Sequence, residues 1–232
     1  MRSERRRAKS LKELQRRNPQ RDERDKVLIV TEGEKTEPDY FNRLISELGL
    51  TSAKVRVSGE GGSAPISVFE AAEAIIALDD DYDQIYVVFD KDEHESYQRA
   101  LSKTLGLSRR STLKGKTIQA ITSIPCFEVW FALHVSSSCK PYTSTLGGLT
   151  AGKALVSDLK SMPHNGVELF KGYDKSGCRN FFSTLTPLRP EAIKRSERTL
   201  EQAHQRGDLI HFENPSTRVH VVVKALEELS KK

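Results

Sequence analysis

The sequence predicts an α/β fold, with a sheet of about four mostly parallel strands flanked by helices and a mainly helical C-terminal part. Two apolar, β-branched runs at 26–30 and 84–89 are typical of strands buried on both faces, as in a parallel sheet. Strand and helix patterns then alternate up to about residue 135, which is the order of a doubly wound sheet. Beyond that point only helix and loop patterns follow.

The first half of the chain justifies the alternation element by element. After the first strand, Thr36 or Glu37 caps a helix with Pro38 in its first turn, and Gly49 ends it. The remaining elements are expected, in order, as a strand at 54–57, a helix around 68–76, a strand at 84–90, a helix at 94–106, a strand at 117–124 and a helix from 128.

The second half has the periodicity of helices only. Apolar spacing predicts helices near 151–161, 177–185, 190–206 and 217–230, with no clear strand. The chain is therefore expected to comprise a basic N-terminal arm at 1–25, an α/β domain at 26–135 and a helical C-terminal region at 136–232 packed on it.

The positive charge is concentrated at the N-terminus. Residues 1–26 contain eleven Arg and Lys against five acids, or about +6, whereas the whole chain carries +5, which leaves about −1 for the rest. An arginine-rich arm can neutralise phosphates without reading sequence. A solvated or partner-binding arm has the same composition, so both interpretations stay open.

Deleting residues 1–25 is a direct test of this arm. If it contacts phosphates, the deletion should weaken nucleic-acid binding, and the intact chain should lose affinity with salt at a log–log slope near about −5 on duplex DNA, from roughly −0.9 for each of about six contacts. Filter binding at several salt concentrations measures this slope. Unchanged affinity and slope, together with loss of a protein complex, would identify a docking segment instead.

Composition also excludes several classes of protein. No run of 18 apolar residues occurs and the N-terminus is arginine-rich, so neither a membrane span nor a secretory signal is expected. The three cysteines, Cys126, Cys139 and Cys178, are widely spaced and form no Cys-x-x-Cys pair. This usage favours a reducing cytoplasm over a disulfide framework or a zinc site. A homo-oligomer is left open.

Carboxylates follow two of the predicted buried strands. Glu32 comes after the first strand, and Asp90 and Asp92 come after the third. Because open α/β sheets bind ligands at the carboxyl ends of their strands, these side chains are expected to meet at one edge. On an extended segment, Asp90 and Asp92 would also point to the same side. Three hard oxygen ligands predict a site for Mg²⁺ or Mn²⁺ and a phosphate.

Each acidic residue also has a plainer interpretation. The Asp-x-Asp pair could end a strand in a solvated turn, and Glu37 and Glu128 could each be an acid that favours the start of a helix. As further members of the acidic site, Glu37 and Glu128 would lie at the same sheet edge. The glycine-rich loop at 59–63 resembles a phosphate cradle only in composition.

Four blocks of sequence carry a family resemblance. They are VTEGEKTEPDYF at 30–41, FDKD at 89–92, SIPCFEVWF at 123–131 and NPST at 214–217. A glutamate after the first strand and Asp-x-Asp after a later one resembles the Toprim fold of topoisomerases, bacterial primases and OLD-type nucleases. Within that group the chain is similar to the RloB-like (AbiLii-like) proteins of bacterial anti-phage defence, over roughly residues 26–230.

The resemblance implies a metal-dependent nuclease. Glu32 would be a general acid/base or a metal ligand, Asp90 and Asp92 would hold Mg²⁺, and Lys35 or Lys91 would contact the substrate phosphate. An ATPase partner of the ABC or OLD type is also implied. Topoisomerases of this fold have a third acid two residues beyond Asp-x-Asp, where this chain has His94, so strand passage is not expected.

Three functions follow from these observations. The first is an enzyme that hydrolyses phosphodiesters in DNA or RNA, possibly tRNA. The second is a non-catalytic subunit of a defence complex that binds or senses nucleic acid or a nucleotide. The third is a toxin-like effector that is inert until its partner releases it. Cleavage of labelled DNA and RNA in Mg²⁺ or Mn²⁺ separates the first from the second.

Overall fold

The structure is a computed structural model that describes residues 26–52, 54–59, 62–79, 81–138, 140–144 and 148–232. The basic arm at 1–25 lies outside the described residues, so its function stays a prediction. Within these ranges, none of the helices combines the length and the apolar character needed to span a bilayer.

The predicted order of strands and helices in the first half is confirmed. The first half runs β1 (Val27–Thr31), α1 (Thr36–Glu47), β2 (Val55–Ser58), α2 (Pro65–Leu78), β3 (Gln84–Asp90), α3 (Tyr97–Leu107), β4 (Thr117–Ile124) and α4 (Glu128–Val135). The second half runs α5 (Ala151–Ser161), a hairpin of β5 (Pro163–His164) and β6 (Val167–Glu168), α6 (Phe182–Leu185), α7 (Arg189–Gln205), β7 (Ser216–Thr217) and α8 (Val219–Ser230).

Two expectations for the second half are wrong. The region does contribute a strand to the sheet, because β7 pairs antiparallel with the end of β4. A two-residue strand is too short to produce an alternating pattern, which explains why the sequence did not reveal it. The helix expected at 177–185 is reduced to the four residues of α6, because Gly177 has a φ of 122° and the chain there forms a loop.

The sheet order places a topological switch point between β1 and β3. The five strands lie in the order β2-β1-β3-β4-β7, and all neighbours pair in parallel except β4 and β7. The chain therefore leaves β1 towards one edge and returns to build the other half of the sheet on its opposite side. In open α/β sheets, the crevice above such a point is where ligands bind.

Alternate residues of the central strands enter two separate cores. Val27 and Ile29 of β1 join the larger core on one face, whereas Leu28 and Val30 join the smaller core on the other. Helices α1, α4 and α8 cover the first face, and α2 and α3 cover the second. Burial on both faces explains why β1 reads as a continuous apolar run.

Phe131 in α4 is the centre of an aromatic cluster that joins the two halves of the chain. It is fully buried, and its ring lies 5.3 Å from that of Phe181 and 5.9 Å from that of Tyr173, measured between centroids. The other rings around it belong to Tyr40, Phe127 and Phe170. The C-terminal loop that carries Phe170 to Phe181 is thereby fixed against the first half.

A buried arginine makes a second connection between the halves. Arg189, at the start of α7, is 5% exposed, and its Nη2 lies 2.7 Å from Oε2 of Glu47 at the end of α1. Its Nη1 lies 3.5 Å from Oε1 of Glu227 in α8. One guanidinium therefore joins three helices, which suits its planar arrangement of donors.

Candidate acidic active site

Glu32 and Asp90 lie side by side at the switch point of the sheet. Glu32 follows β1 and its N–H donates to the Val88 carbonyl at 3.1 Å, so the backbone still pairs with β3 there. In return, the Asp90 N–H donates to Oε2 of Glu32 at 3.1 Å. The structure thus brings together the ends of the two strands that the sequence indicated.

Asp90 is also held from the next strand along. Its Oδ2 accepts the Phe127 N–H at 3.0 Å, just before α4 begins. The first residue of that helix is Glu128, whose side chain is almost fully buried. Glu128 therefore occupies the first turn of a helix and also lines the same crevice. Its role in the site stays a prediction.

Asp92 reaches the site by a different route from the one expected. Strand β3 ends at Asp90, and Asp92 has a φ of 26° in the following turn, so the extended geometry predicted for the pair is wrong. Its N–H donates to the Pro125 carbonyl at 2.9 Å. Its carboxylate lies against Gly152, where an added Cβ would be 3.6 Å from Oδ1.

All five predicted carboxylates line one open cavity of about 390 Å³. Lys35 is exposed and is one of the lining residues. Lys91 is not among them, and its Nζ lies 4.9 Å from the centroid of the Phe212 ring. The lining residues are Glu32, Gly33, Glu34, Lys35, Thr36, Glu37, Ser63, Asp90, Asp92, Cys126, Glu128 and Lys175.

Burial and mutual repulsion raise the pKa of three of these acids, Glu37, Asp90 and Glu32. The pKa of Glu37 is raised to about 8, first by burial and then by the neighbouring Glu128 and Glu32, against the lowering effect of its own backbone hydrogen bond. The pKa of Asp90 is raised well above its usual range by burial and then by Glu37 and Glu32. Burial also raises the pKa of Glu32. A site of this kind favours a bound cation.

Glycines at two turns allow the acidic loops to approach each other. Gly33 has a φ of 74°, and its N–H donates to the Gly62 carbonyl at 2.9 Å. A Cβ at Gly59 would lie 2.8 Å from the Gly33 carbonyl oxygen, so only glycine fits there. Part of the loop at 59–63 lies outside the described residues, and its role as a phosphate cradle stays a prediction.

Sequence reasoning missed two residues of the site, Tyr173 and Lys175. The Tyr173 hydroxyl donates to Oε1 of Glu128 at 2.8 Å, and Nζ of Lys175 lies 3.5 Å from the same oxygen. Although burial opposes its charge, the carboxylate of Glu128 raises the pKa of Lys175. Both residues come from a loop far along the chain, and no local motif marks them.

The donor chemistry of the cavity fits a divalent cation. Carboxylate oxygens are the ligands that Mg²⁺ and Mn²⁺ prefer. In Glu32 and Asp90 one oxygen accepts a backbone N–H, which leaves Oε1 and Oδ1 for a ligand. Nowhere in the described ranges are three His, Cys, Asp or Glu side chains already arranged to hold a metal ion.

His94 lies two residues beyond Asp92, between β3 and α3. Its Nε2 lies 3.7 Å from Oε1 of Glu32. The imidazole therefore sits beside the first glutamate of the site, at the oxygen that the backbone leaves unused.

The fold and the cavity define an α/β protein with a mostly parallel five-stranded sheet and a carboxylate-rich site at its switch point. The profile of the RloB-like protein family matches residues 27–226, which is most of the sequence, and the chain belongs to that family. The resemblance to RloB-like proteins that the sequence blocks indicated is thereby confirmed. No curated protein and no solved structure matches the chain.

Proposed function

We propose that this RloB-like protein is a divalent-metal-dependent nuclease of the Toprim type, acting on DNA or RNA as an effector of anti-phage defence. The observation that carries the proposal is the position of Glu32, Asp90 and Asp92. They line one cavity at the carboxyl edge of the sheet, at the point where a ligand site is expected.

The residues of the cavity have distinct tasks in this proposal. Glu32, Asp90 and Asp92 would hold Mg²⁺ or Mn²⁺, which supplies Lewis-acid stabilisation of charge on the scissile phosphate when bound. Glu37 and Glu128 extend the acidic wall behind them. Lys35, which is exposed and lines the cavity, would contact a substrate phosphate.

The expected partners follow from the same proposal. Nucleic acid would enter from the open side of the cavity, and an ATPase of the ABC or OLD type would restrain or release the nuclease. The protein would act in the cytoplasm. The arginine-rich composition of residues 1–25 would suit contacts with either partner.

A second candidate is a non-catalytic subunit that binds or senses nucleic acid or a nucleotide. The observation that favours it concerns the metal ligands. In the described part of the chain, no three His, Cys, Asp or Glu side chains are already arranged to hold a metal ion. Such a subunit would bind the same ligand through the same cavity without cutting it.

Cleavage assays separate the two functions. Purified full-length protein is incubated with labelled DNA and RNA in Mg²⁺ or Mn²⁺, alone and with the neighbouring ATPase, and the product ends are sequenced. If the protein is a nuclease, it should cleave the labelled substrates, and EDTA should stop the cleavage. The Asp92→Asn variant should cleave at least about a hundredfold more slowly. Glu95→Gln, an exposed acid outside the cavity, serves as the control. Binding without cleavage in every mixture would favour the sensing subunit.

A further inference from the structure

We infer that Lys175 is an exchangeable counter-ion of the acidic cavity, held by Glu128 while no metal is bound and released to pair with a substrate phosphate when a divalent cation enters. The inference rests on the proposed function, since it assigns a cation-binding and a phosphate-binding role to the same site. The observations that carry it are the anchoring of its loop, its backbone conformation and its charged surroundings.

The loop that carries Lys175 is fixed on both sides of this residue. Before it, the Tyr173 hydroxyl donates to Glu128 at 2.8 Å. After it, the Cys178 N–H donates to Oδ2 of Asp39 in α1 at 2.7 Å. At the residue itself, Thr36 Oγ1 donates to the Lys175 carbonyl at 3.1 Å. The backbone is therefore held beside the cavity that Lys175 lines, while about half of its side chain is exposed to solvent.

The conformation of Lys175 is one that glycine would adopt more easily. Its φ is 65°, in the left-handed region, which is uncommon for a residue with a Cβ. Such strain costs free energy and clusters at functional sites. A lysine at this position is thus better explained by a need for its side chain than by the turn.

The charge around Lys175 is that of a cation site. Its Nζ lies 3.5 Å from Oε1 of Glu128, and its field also favours the ionised forms of Glu32 and Glu37. The side chain is nevertheless 53% exposed, against 3% for that of Glu128. The ammonium therefore lies between buried carboxylates and open solvent, where it can turn outward without crossing the protein.

A divalent cation held by Glu32, Asp90 and Asp92 would share one cavity with this ammonium. Like charges repel strongly in a partly buried site, so binding of the metal favours release of Lys175. Once released, the ammonium is tethered at the entrance by its loop. A phosphate that approaches the metal then meets a positive charge already in place, which makes a charge-assisted hydrogen bond available to it.

Lys175→Met tests this exchange because it keeps much of the stem and removes the charge. Lys171→Met is the matched control, because it removes the same charge four residues earlier in the chain. The side chain of Lys171 pairs with Glu168. Mn²⁺ binding is measured by titration calorimetry without nucleic acid. Binding of labelled single-stranded DNA and RNA is measured by fluorescence anisotropy in Ca²⁺ over a range of salt concentrations.

Two opposite shifts are expected for Lys175→Met relative to the control. Mn²⁺ should bind several-fold more tightly, because an internal competitor is gone. The oligonucleotides should bind about tenfold more weakly, with a salt slope smaller by about 0.7, the value for one phosphate contact on a single strand. Lys175→Arg should restore oligonucleotide binding. A shared loss of charge cannot produce this pattern, since Lys171→Met has it too.

Lys175→Gly also removes the charge, and glycine suits the φ at this position, so this variant should melt no lower than the wild type. It therefore separates the loss of the charge from a loss of folding. Equal behaviour of the Lys175 and Lys171 variants in both titrations, or weaker Mn²⁺ binding in the Lys175 variants, would overturn the inference. Opposite shifts in a protein that cleaves no substrate would uphold it and refute the nuclease. If the wild type cleaves nucleic acid but the Lys175 variants show no such shifts in binding, the nuclease is supported and the inference about Lys175 is overturned.

Discussion

Replacing Asp90 by asparagine is expected to lower metal-dependent cleavage by about a thousandfold or more and to raise the melting temperature of the metal-free protein. Cleavage falls because a cation ligand at the centre of the site is removed. Stability rises because the buried carboxylate, repelled by Glu37, Glu32 and Glu128, is replaced by a neutral group of similar size. The Asn oxygen can still accept the Phe127 N–H.

The stabilisation by Asp90→Asn should depend on pH in a defined direction. The pKa of Asp90 is raised in the folded state, so above about pH 3.9, the value of a free aspartate, the unfolded chain gives up this proton more readily. The native state of the wild type is therefore penalised increasingly as pH rises, and the variant is not. The gain in free energy of unfolding should be present near neutral pH and should vanish below about pH 4.

Urea unfolding at several pH values measures this effect, with Asp208→Asn as the control. Asp208 pairs with Arg206 at the surface, away from the cavity. Each kcal/mol gained corresponds to about 2–4 °C in a protein of this size. Wild-type cleavage by Asp90→Asn would remove the central residue from the proposed site. A lower melting temperature at neutral pH would show that its carboxylate is well compensated in the absence of metal.

Replacing Phe131 by alanine is expected to destabilise the fold by about 3–5 kcal/mol, the cost of a buried aromatic side chain and its cavity. The ring contacts others from both halves of the chain, so its loss should also loosen the loop that carries Tyr173. Thermal unfolding measures the stability, and hydrogen exchange of the backbone amides at 171–178 measures the loosening.

Phe131→Leu is the matched control, because it keeps an apolar side chain in the same place. It should lose much less than the alanine variant and should keep the loop protected. If both variants melt together, the retained apolar volume of leucine contributes little and the aromatic ring itself is required at this position. If Phe131→Ala loses stability while exchange at 171–178 stays slow, the loop is held by its hydrogen bonds and not by the cluster.

The strands of the first half could be predicted because the property that makes them strands is visible in their own residues. A parallel strand that is buried on both faces must be apolar throughout, as β1 and β3 are, and the helices between them show a 3.6-residue period. Strand β7 could not be predicted in this way. Its two residues form a strand only because the edge of β4 offers them partners, which is information that the local sequence does not hold.

The residues of the site can also be separated into those whose positions follow from the local sequence and those whose positions do not. The positions of Glu32 and Asp90 follow from the rule that parallel strands present their carboxyl ends at one edge, so both could be named from the sequence. Asp92 reaches the cavity through a turn with a φ of 26°, for which no pattern exists. Lys175 arrives by long-range packing of a loop, and Lys91 shows the converse, a cation near the motif that contacts an aromatic ring instead.

The aromatic cluster around Phe131 sets the smallest fragment in which the cavity can be studied. A chain cut after α4 would retain Glu32, Asp90 and Glu128 but would lose Phe170, Tyr173 and Phe181, and with them the cover of its larger core. The exposed rings would favour self-association over folding. Labelled samples for spectroscopy, or fusions that report on the site, should therefore keep residues 26–230 together and place additions beyond α8.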